Sequence, residues 1–591
     1  MIERKDQLVE NTWDISLLAA NAEAWDKEVE EGKAKLGLIE ALKGTLSKDS
    51  DSLYNALVTI RDLSIQFEKL GSWAFLNYSA DSMNAEVQRR AGIFNAIEAE
   101  VDEKMSFFNP ELLSISDEDI EAWLSEDRFE EFRVYVRKAR RFKDHILSEK
   151  EERLLSLYSP VENTHQQTFQ DLNNIDLTFG EIDGETLTHG NYSKYMHADS
   201  DELRERAYRQ YYKAFNDHRH TIARTYSGSI KNDIFISKAR GYNSCIEKAL
   251  FPDNMPKSVY TSLIESVHEA FPHLHRYYKL RAKLLGKDKL KHWDVYVPMI
   301  SSVKSRHTYD EAVALINEAV KPLGDEYRTT LVNGLSKDRW VDRYENKGKR
   351  SGAFSAGCYT GNPYILVNFQ EEVLNSVYTL IHEGGHSMHS YYSSHNNPFM
   401  CYDYTIFEAE VASTFNEELL QDYLVKNAKS AEEEAYLIAK HLDDMVGTLF
   451  RQTMFAEFEL LVHEAAENGI PTTIDFFKKT YRGLLEAYFG DTLEFIEESD
   501  LEGLRIPHFY RAFYCYKYAT GLSASIALSQ KVLNGDEKDK EDYLSFLKSG
   551  GSVYPLESLK KAGVDMSTPA PVKAAMELFA KELDRLEELT K

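Results

Sequence analysis

Two histidines separated by three residues are the most chemically suggestive feature of this sequence. Within "LIHEGGHSMHS", His382, Glu383 and His386 have the spacing HExxH. Histidines four residues apart project from one face of an α-helix, where both imidazoles can bind one Zn²⁺, and the glutamate after the first can reach a water molecule at the ion. The pattern therefore predicts a zinc site with Glu383 as general base. The alternative interpretation is a solvated polar helix face with an ion-paired glutamate.

A catalytic zinc usually has three protein ligands and one open position, so a third ligand is expected. His389 is close in sequence, but three ligands from one face of a continuous helix cannot readily surround one ion. We expect His389 either to support the ligands from behind or to have a structural role. The metzincin pattern would require a histidine at position 392, which is Tyr392, so that subclass of zinc peptidase is excluded.

A glutamate on the following predicted helix is the better candidate for the third ligand. The segment "YTIFEAEVASTFNEELL" offers Glu408 and Glu410. Thr405 and Glu408 have the form of a capping box, which gives Glu408 a structural role at the helix start. Glu410 is therefore the predicted ligand, and an ordinary surface glutamate is the alternative interpretation for this residue.

The HExxH segment must lie on a helix for these side chains to converge. Asn368 and Glu371 are spaced as a helix cap, and the helix is predicted to continue to Ser393. Gly384 and Gly385 fall on its apolar stripe, although glycine inside a helix costs about 1 kcal/mol relative to alanine. We expect both glycines to leave room for a closely approaching neighbour.

The rest of the chain reads as mostly helical, with two changes of pattern. Amphipathic helix extends to about Asn163, and two short β-prone runs then flank the turn dipeptide Asp183-Gly184. Extended structure is also predicted for "WDVYVPM" and for the β-rich run from Tyr364 to Phe369. The predicted division is an N-terminal helical lobe at 1–165, a β-hairpin junction at 166–200 and a catalytic zinc peptidase domain at 201–591.

Composition excludes several classes of protein. The 591 residues include 97 acidic and 70 basic side chains, a net charge of −27, which disfavours binding to nucleic acid phosphates. The four cysteines are isolated, which argues against a disulfide framework and fits a reducing compartment. No segment has the apolar length of a membrane span, and the N-terminus is unlike a signal peptide. We expect a soluble, cytoplasmic protein without a membrane partner.

The motifs resemble the oligoendopeptidase F branch of the thimet oligopeptidase-like zinc metallopeptidases. The resemblance runs from about residue 165 to 575 and is carried by segments in the order of that family: "LTHGNYSKYM", "KALFPDNMPKSVYTSLI", "GKRSGAFSAGCYTGNPYILVNF", "HEGGHSMHSYYS", "YDYTIFEAEVASTFNEELL", "FRQTMFAEFE", "HFYRAFYCYKYATG" and "GGSVYPLESLKKAGVDM". One departure is Gly384, where the family more often has a bulky apolar residue. Because the predicted ligands and base are intact, this difference concerns the local packing of the helix and not the predicted chemistry.

The resemblance implies a mainly α fold, described for the family as an elongated two-lobed helical body with a deep substrate channel. A small β-sheet is expected next to the zinc helix, and a short β-hairpin near residues 175–192. Carried over by position, His382, His386 and Glu410 match the ligands of a single zinc ion, and Glu383 matches the general base.

Two further segments are expected to contact substrate. Gly352, Ala353 and Phe354 lie in a region that lines the channel in this family, and an edge strand there could bind an extended peptide through its main chain. The segment "HFYRAFYCYKYATG" would be mostly core on composition alone.

In this family, however, a histidine and tyrosines from that aromatic segment hydrogen-bond the substrate and the oxyanion. The resemblance therefore points to His508 and Tyr514 as catalytic residues, with Tyr510 and Tyr516 as substrate contacts.

The predicted activity is hydrolysis of internal peptide bonds in short oligopeptides, by metal-activated water with Glu383 as general base. A zinc carboxypeptidase of related helical fold is one alternative. A peptide-binding protein that retains a metal site without catalysis is another. Peptide preference and oligomeric state cannot be predicted from the sequence.

Overall fold

The protein is built almost entirely of α-helices, in a computed structural model that describes residues 2–300 and 306–591. The helices are α1 (Ala22–Leu42), α2 (Ser50–Ala80), α3 (Ala85–Met105), α4 (Phe108–Ser114), α5 (Asp117–Leu124), α6 (Arg133–Arg140), α7 (Glu149–Glu162), α8 (Thr164–Asp171), α9 (His189–Met196), α10 (Asp201–Asp217), α11 (Arg219–Ala239), α12 (Cys245–Leu250), α13 (Lys257–Glu269), α14 (Phe271–Leu284), α15 (Tyr309–Ala319), α16 (Gly324–Leu335), α17 (Asn375–Asn396), α18 (Phe399–Tyr402), α19 (Ile406–Lys426), α20 (Ala431–Met445), α21 (Arg451–Glu467), α22 (Ile474–Phe489), α23 (Tyr516–Asn534), α24 (Glu537–Ser549), α25 (Pro555–Lys561) and α26 (Ala570–Leu589). The strands are β1 (Glu181–Ile182), β2 (Glu185–Thr186), β3 (Leu290–Lys291), β4 (Val341–Asp342), β5 (Phe354–Ala356), β6 (Tyr364–Leu366) and β7 (Leu493–Glu494). The predicted mainly α fold is confirmed.

The chain forms two compact units, each assembled from three separate segments. The first unit consists of Met1–Asp144, Lys304–Tyr423 and Leu528–Val564, and the second consists of His145–Val303, Leu424–Ala527 and Asp565–Lys591. The boundaries between these segments therefore differ from the predicted domain limits near residues 165 and 200. Those limits follow composition and stay a prediction about folding domains.

The N-terminal helices of the first unit share one apolar core. Asp49 caps α2 by accepting a hydrogen bond from the N–H of Ser52, and the buried apolar residues of α2 recur every three or four positions. Trp25 of α1 stacks on Trp73 of α2 with ring centroids 5.4 Å apart. Tyr364 of β6 belongs to the same core. The helices thereby fix the position of the β6 strand beside them.

A three-stranded sheet lies beside α17 in the first unit, as the sequence predicted. The strand order is β4-β6-β5, with β4 parallel and β5 antiparallel to β6. Ser355 of β5 hydrogen-bonds Ser387 of α17 through their hydroxyls at 2.8 Å. Among the described residues β5 has a partner strand on one side only, so it is an edge strand facing the helix that carries HExxH.

The predicted hairpin is present in the second unit. Strands β1 and β2 pair antiparallel around Asp183 and Gly184, whose φ angles are 52° and 84°. Positive φ at both central residues is the geometry that the Asp-Gly dipeptide favours. The hairpin prediction near residues 175–192 is confirmed.

Two predictions of local structure are wrong. The segment "WDVYVPM" is not an extended run, because His292–Tyr296 forms a short 3₁₀-helix in which the Asp294 carboxylate accepts a hydrogen bond from the N–H of Lys291 at 2.8 Å. The HExxH helix begins at Asn375 and not near Glu371. The Asn368 amide instead donates to the carbonyls of Arg350 and Gly352, at 3.1 and 2.9 Å.

Candidate metal centre

His382 and His386 project from one face of α17, as their spacing predicts. Their ring centroids are 4.9 Å apart, and the two side chains are 24% and 17% exposed. The neighbouring face of α17 is buried, with Leu380 and Ile381 fully inaccessible. Burial of that stripe fixes the rotation of the helix about its axis, so both imidazoles are held toward the same open space.

Glu410 of α19 completes a three-residue group with these histidines. Its Oε2 lies 3.6 Å from Nε2 of His382 and 3.9 Å from Nε2 of His386. One ligand atom from each of the three side chains lies within 4.8 Å of the others, the only such group of three or more metal-ligating side chains found in the described part of the chain. Two imidazoles and one carboxylate are a donor set typical of catalytic zinc.

The two glycines of the motif face close neighbours, as predicted. A Cβ atom at Gly385 would lie 2.5 Å from the carbonyl oxygen of Ala412 and 2.6 Å from Cα of Ser413, both main-chain atoms of α19. A Cβ atom at Gly384 would meet a side-chain methyl of Leu331 in α16 at 3.0 Å. Gly385 thus permits the close approach of α19 that brings the Glu410 carboxylate to the histidines.

A fourth side chain, Glu417, contacts the other nitrogen of His382. Oε1 of Glu417 lies 3.3 Å from Nδ1 of His382. A carboxylate on the second imidazole nitrogen fixes the tautomer and orientation of a metal-ligating histidine. Sequence analysis did not find this residue, although its position seven residues after Glu410 places both on one face of α19.

Charge at the centre favours a cation. Burial alone would lower the pKa of His382, but the Glu417 carboxylate and the charges of Glu383 and Glu410 outweigh it and raise the pKa to about 9. Burial and the neighbouring histidines lower the pKa of His386. A neutral imidazole can donate its lone pair to a metal, and a divalent ion would balance the surrounding carboxylates.

Glu383 is buried beside the β5 edge. Its side chain faces the main-chain N–H of Ser355, and burial raises the pKa of its carboxyl to about 7, with the charge of His382 opposing that shift. The general-base candidate is therefore held between the histidines and the edge strand, where a bound peptide could reach it.

His389 and Glu408 have structural surroundings, in line with the sequence analysis. The buried His389 ring stacks on Tyr404 at 3.6 Å, and burial lowers its pKa to about 3. The Glu408 carboxylate accepts hydrogen bonds from the hydroxyls of Ser558 and Thr405. Neither side chain belongs to the group formed by the two histidines and Glu410.

The predicted substrate strand lies in the first unit, at the start of β5. Gly352 has a φ of 82°, and Ala353 links it to Phe354, the first residue of the strand. The Phe354 ring packs 5.2 Å from Phe75 and 6.3 Å from Trp13. The role of Gly352, Ala353 and Phe354 in substrate contact stays a prediction.

The aromatic segment lies in the second unit and is not one continuous helix. Pro507–Tyr510 is a short 3₁₀-helix, and α23 begins only at Tyr516. His508 is exposed and lies parallel to the half-buried Tyr514, with ring centroids 6.0 Å apart.

The two remaining tyrosines of the aromatic segment pack more deeply. The ring of Tyr510 stacks on Phe169 at 4.6 Å, and Tyr516 is fully buried against Tyr260 at 5.1 Å. The proposed roles of His508, Tyr514, Tyr510 and Tyr516 stay predictions.

A buried acid supports this segment and was not found from sequence. Oε1 of Glu459, which is fully buried, accepts a hydrogen bond from the main-chain N–H of Phe513 at 2.9 Å. Phe513 has a φ of 58°, a left-handed conformation that costs a non-glycine residue about 1 kcal/mol or more. The Glu459 hydrogen bond holds the turn between the 3₁₀-helix and α23.

Glu459 predicts a pH dependence of stability. Burial raises the pKa of its carboxyl to about 8 from an ordinary value of 4.5, with the charge of His463 opposing the shift. Between these values the folded state holds the proton more tightly, so the free energy of unfolding should fall as pH rises from about 4.5 to about 8, by up to about 1.4 kcal/mol per pH unit. Glu459→Gln should flatten this dependence in urea unfolding measured across that range.

Glu464→Gln, a partly exposed position on the same helix, is the matched control for that experiment. It should retain the wild-type slope. An unchanged slope in Glu459→Gln would contradict the assignment of the proton to Glu459.

Glu417 predicts an effect on metal binding. Glu417→Gln removes the carboxylate that orients His382, and loss of such a partner typically weakens metal affinity by about 10- to 100-fold. Competition with a chelator measures the effect. Glu326→Gln, an exposed glutamate on α16, should bind metal as the wild type does. Equal affinities for both variants would contradict the orienting role.

Comparison with known proteins agrees with this geometry. Residues 194–578 match the model of peptidase family M3, and residues 111–179 match a model described as Oligopeptidase F. The chain is 38% identical over 589 residues to an oligoendopeptidase F homolog of Borreliella burgdorferi, covering 100% of both chains. It is also 38% identical to the oligopeptidase PepF of Bacillus subtilis, covering 99% of this chain and 88% of the relative.

Solved structures show the same similarity. A crystal structure of oligoendopeptidase-F from Enterococcus faecium is 34% identical with a TM-score of 0.75, covering 96% of this chain and 99% of the other. A structure from Chlamydophila abortus is 36% identical with a TM-score of 0.93, covering 100% of each chain. Within residues 2–300 and 306–591, no helix has both the length and the apolar composition needed to cross a bilayer.

Proposed function

Because this chain belongs to peptidase family M3, we propose that it is a zinc-dependent endopeptidase that hydrolyses internal bonds of short oligopeptides. The observation that carries the proposal is the convergence of His382, His386 and Glu410, with ligand atoms within 4.8 Å of one another. Glu383 lies on the same helix turn as the histidines, beside the β5 edge strand.

His382, His386 and Glu410 are the residues that would hold one zinc ion. When bound, zinc would act as a Lewis acid that polarises the scissile carbonyl and acidifies water. Glu383 takes the proton from the attacking water and passes it to the leaving amine. The N–H of Ser355 faces the Glu383 carboxylate and helps to orient it for this transfer.

Positioning of the peptide is assigned to β5. An edge strand pairs with an extended peptide through main-chain hydrogen bonds, which makes little demand on side-chain identity. We assign Gly352, Ala353 and Phe354 to this contact, with His508 and Tyr514 as hydrogen-bond donors to the oxyanion, each contributing about 3 to 4 kcal/mol. Tyr510 and Tyr516 are the further substrate contacts.

The proposed setting is the cytoplasm. The free, buried cysteines Cys245, Cys358, Cys401 and Cys515 fit a reducing compartment. The net charge of −27 disfavours nucleic acid as a partner, so oligopeptides are the proposed ligands.

Product mapping tests the proposed activity. A peptide of about ten residues, acetylated at its N-terminus and amidated at its C-terminus, is incubated with zinc-loaded protein and the fragments are identified by mass spectrometry. Internal cleavage is expected. Stepwise loss from a free C-terminus, without cleavage of the blocked peptide, would instead indicate a carboxypeptidase, and retention of intact bound peptide would indicate a binding protein.

A further inference from the structure

The first unit contains a cavity of about 1660 Å³ that is lined in part by Ala356, the last residue of β5. Its walls are formed by α2, by α3 and by the segment from Arg350 to Gly357. The volume exceeds that of typical small-molecule pockets, which are about 300 to 1000 Å³. The cavity therefore has room for several residues of a peptide.

The open edge of β5 faces away from its partner strand. The N–H of Ile365 donates to the carbonyl of Trp340, so the polar main-chain groups of Ile365 point toward β4. Ser355 is the residue paired with Ile365, and its main-chain groups therefore point away from β6, to the side where Glu383 lies. A peptide bound along this edge would pass the general-base candidate.

One end of the cavity carries an unpaired cation. The Arg350 guanidinium lies 6.0 Å from the ring centroid of Phe75 and 5.5 Å from that of Phe354, and among the described residues it has no carboxylate partner. The N–H of Arg350 donates to the carbonyl of Ser79 at 2.8 Å. The Ser79 hydroxyl lines the same cavity and is buried without a hydrogen-bond partner within the described chain.

The other end carries unpaired carboxylates. Glu98 and Asp102, one turn apart on α3, are exposed and have no basic partner among the described residues. Partial loss of solvent around the Glu98 carboxylate, together with the charge of Asp102, raises the pKa of Glu98. Two like charges at this spacing destabilise a helix slightly unless a cation lies between them.

The distance between the two ends suits an oligopeptide. Gly71 of α2 faces Phe94 of α3. Ser79 lies eight residues after Gly71 and Asp102 lies eight residues after Phe94, on opposite sides of this contact. At about 1.5 Å per residue the ends are roughly 20 to 25 Å apart, which an extended chain of about six or seven residues spans. The segment that contains β5 runs from the Ser79 end of the cavity toward the acidic end. Arg350, before the strand, contacts Ser79, and the N–H of Tyr359, after the strand, donates to Glu68 at 2.9 Å.

We propose that this cavity binds a short peptide antiparallel to β5, with Arg350 receiving its C-terminal carboxylate and Glu98 and Asp102 receiving a cationic group near its N-terminus. The reverse orientation would place like charges together at both ends. The cation is an ammonium or guanidinium group, either the free N-terminus or a basic side chain. The inference rests on the proposed peptidase function and adds to it a preference for peptide length and terminal charge.

Steady-state cleavage of a six-residue peptide series tests the inference. The series has one neutral sequence with both termini free, with the C-terminus amidated, with the N-terminus acetylated, or with both blocked. The wild type should show a KM about fivefold lower for the peptide with a free C-terminal carboxylate than for the amidated peptide. This factor corresponds to a partly exposed charge pair worth about 1 kcal/mol. Arg350→Ala should remove this difference, and Arg350→Lys should retain part of it.

The acidic end is tested in the same way. The double variant Glu98→Gln, Asp102→Asn should lose the preference for a free over an acetylated N-terminus. An acetylated peptide that begins with lysine shows whether the bound cation is a basic side chain or the N-terminal ammonium group itself. Arg137→Ala and Glu100→Gln, which lie outside the cavity lining, are the matched controls and should behave as the wild type.

The doubly blocked peptide, which carries neither terminal charge, should be cleaved with the same KM by the wild type and by the two control variants, Arg137→Ala and Glu100→Gln. Cleavage of every peptide with the same KM would overturn this inference and leave the peptidase assignment intact. Failure of the wild type to cleave any peptide would instead contradict the proposed function.

Discussion

Glu383→Gln should retain zinc and lose nearly all turnover. The amide is isosteric with the carboxylate, and Glu383 is not one of the three side chains that converge as ligands, so metal content should remain at the wild-type level. The variant lacks the proposed general base, and removal of a general base typically slows catalysis by about 10²- to 10⁴-fold. Single-turnover cleavage of an end-blocked peptide, with metal content measured on the same sample, checks both expectations.

The conservative variant Glu383→Asp is the matched comparison, because it keeps a carboxylate but shortens the side chain by one methylene. Its rate should lie between those of the wild type and Glu383→Gln. A Glu383→Gln variant that binds zinc and retains a rate within about tenfold of wild type would contradict the general-base role.

Gly385→Ala should have the largest effect on stability among single substitutions of the motif. The added methyl would lie 2.5 Å from the carbonyl oxygen of Ala412 and 2.6 Å from Cα of Ser413. Main-chain atoms of a packed helix cannot rotate away, so α17 and α19 must separate, at a cost of about 1 to 3 kcal/mol. Because Glu410 lies on α19, the same movement should weaken zinc binding.

Urea unfolding and zinc titration of the purified variant check these effects. Gly384→Ala is a graded comparison, because the methyl would meet only the end of the Leu331 side chain, at 3.0 Å. Gly37→Ala, on the exposed face of α1 with no atom within 4 Å, is the matched control and should stabilise the helix by about 1 kcal/mol. Wild-type stability and zinc affinity in Gly385→Ala would contradict the close-packing explanation.

The convergence at α17 could be predicted because its signals are local. The four-residue spacing of His382 and His386 fixes their shared face, and two glycines on an apolar stripe predict close packing without naming the neighbour. Glu410 was distinguished from Glu408 because capping gave Glu408 a different role. These three features depend on positions within one or two helices.

Features that depend on contacts distant in sequence could not be predicted. Glu417 is an ordinary helix glutamate until the fold places it 3.3 Å from His382. The helix start was misplaced because Asn368, which resembles a cap, hydrogen-bonds the chain near Arg350. The unpaired charge of Arg350 and the cavity beside it likewise exist only when α2, α3 and β5 come together.

The aromatic segment shows a further limit of periodicity. On a continuous helix Tyr510 and Tyr514 would share one stripe, but Phe513 adopts a positive φ and the α-helix begins only at Tyr516. A buried hydrogen bond from the Phe513 N–H to Glu459, 54 residues earlier, stabilises this turn. Nothing in the local sequence indicates it.

Zinc titration of metal-free protein is the most direct test of the proposed peptidase centre. Metal is removed with a chelator, zinc is added in known amounts, and cleavage of an end-blocked peptide is followed by mass spectrometry. Activity should be absent without metal, rise linearly with added zinc and level off at one ion per chain, and Glu410→Gln should show a much weaker response. Full-rate internal cleavage by verified metal-free protein would contradict the assignment of His382, His386 and Glu410 as a catalytic zinc site.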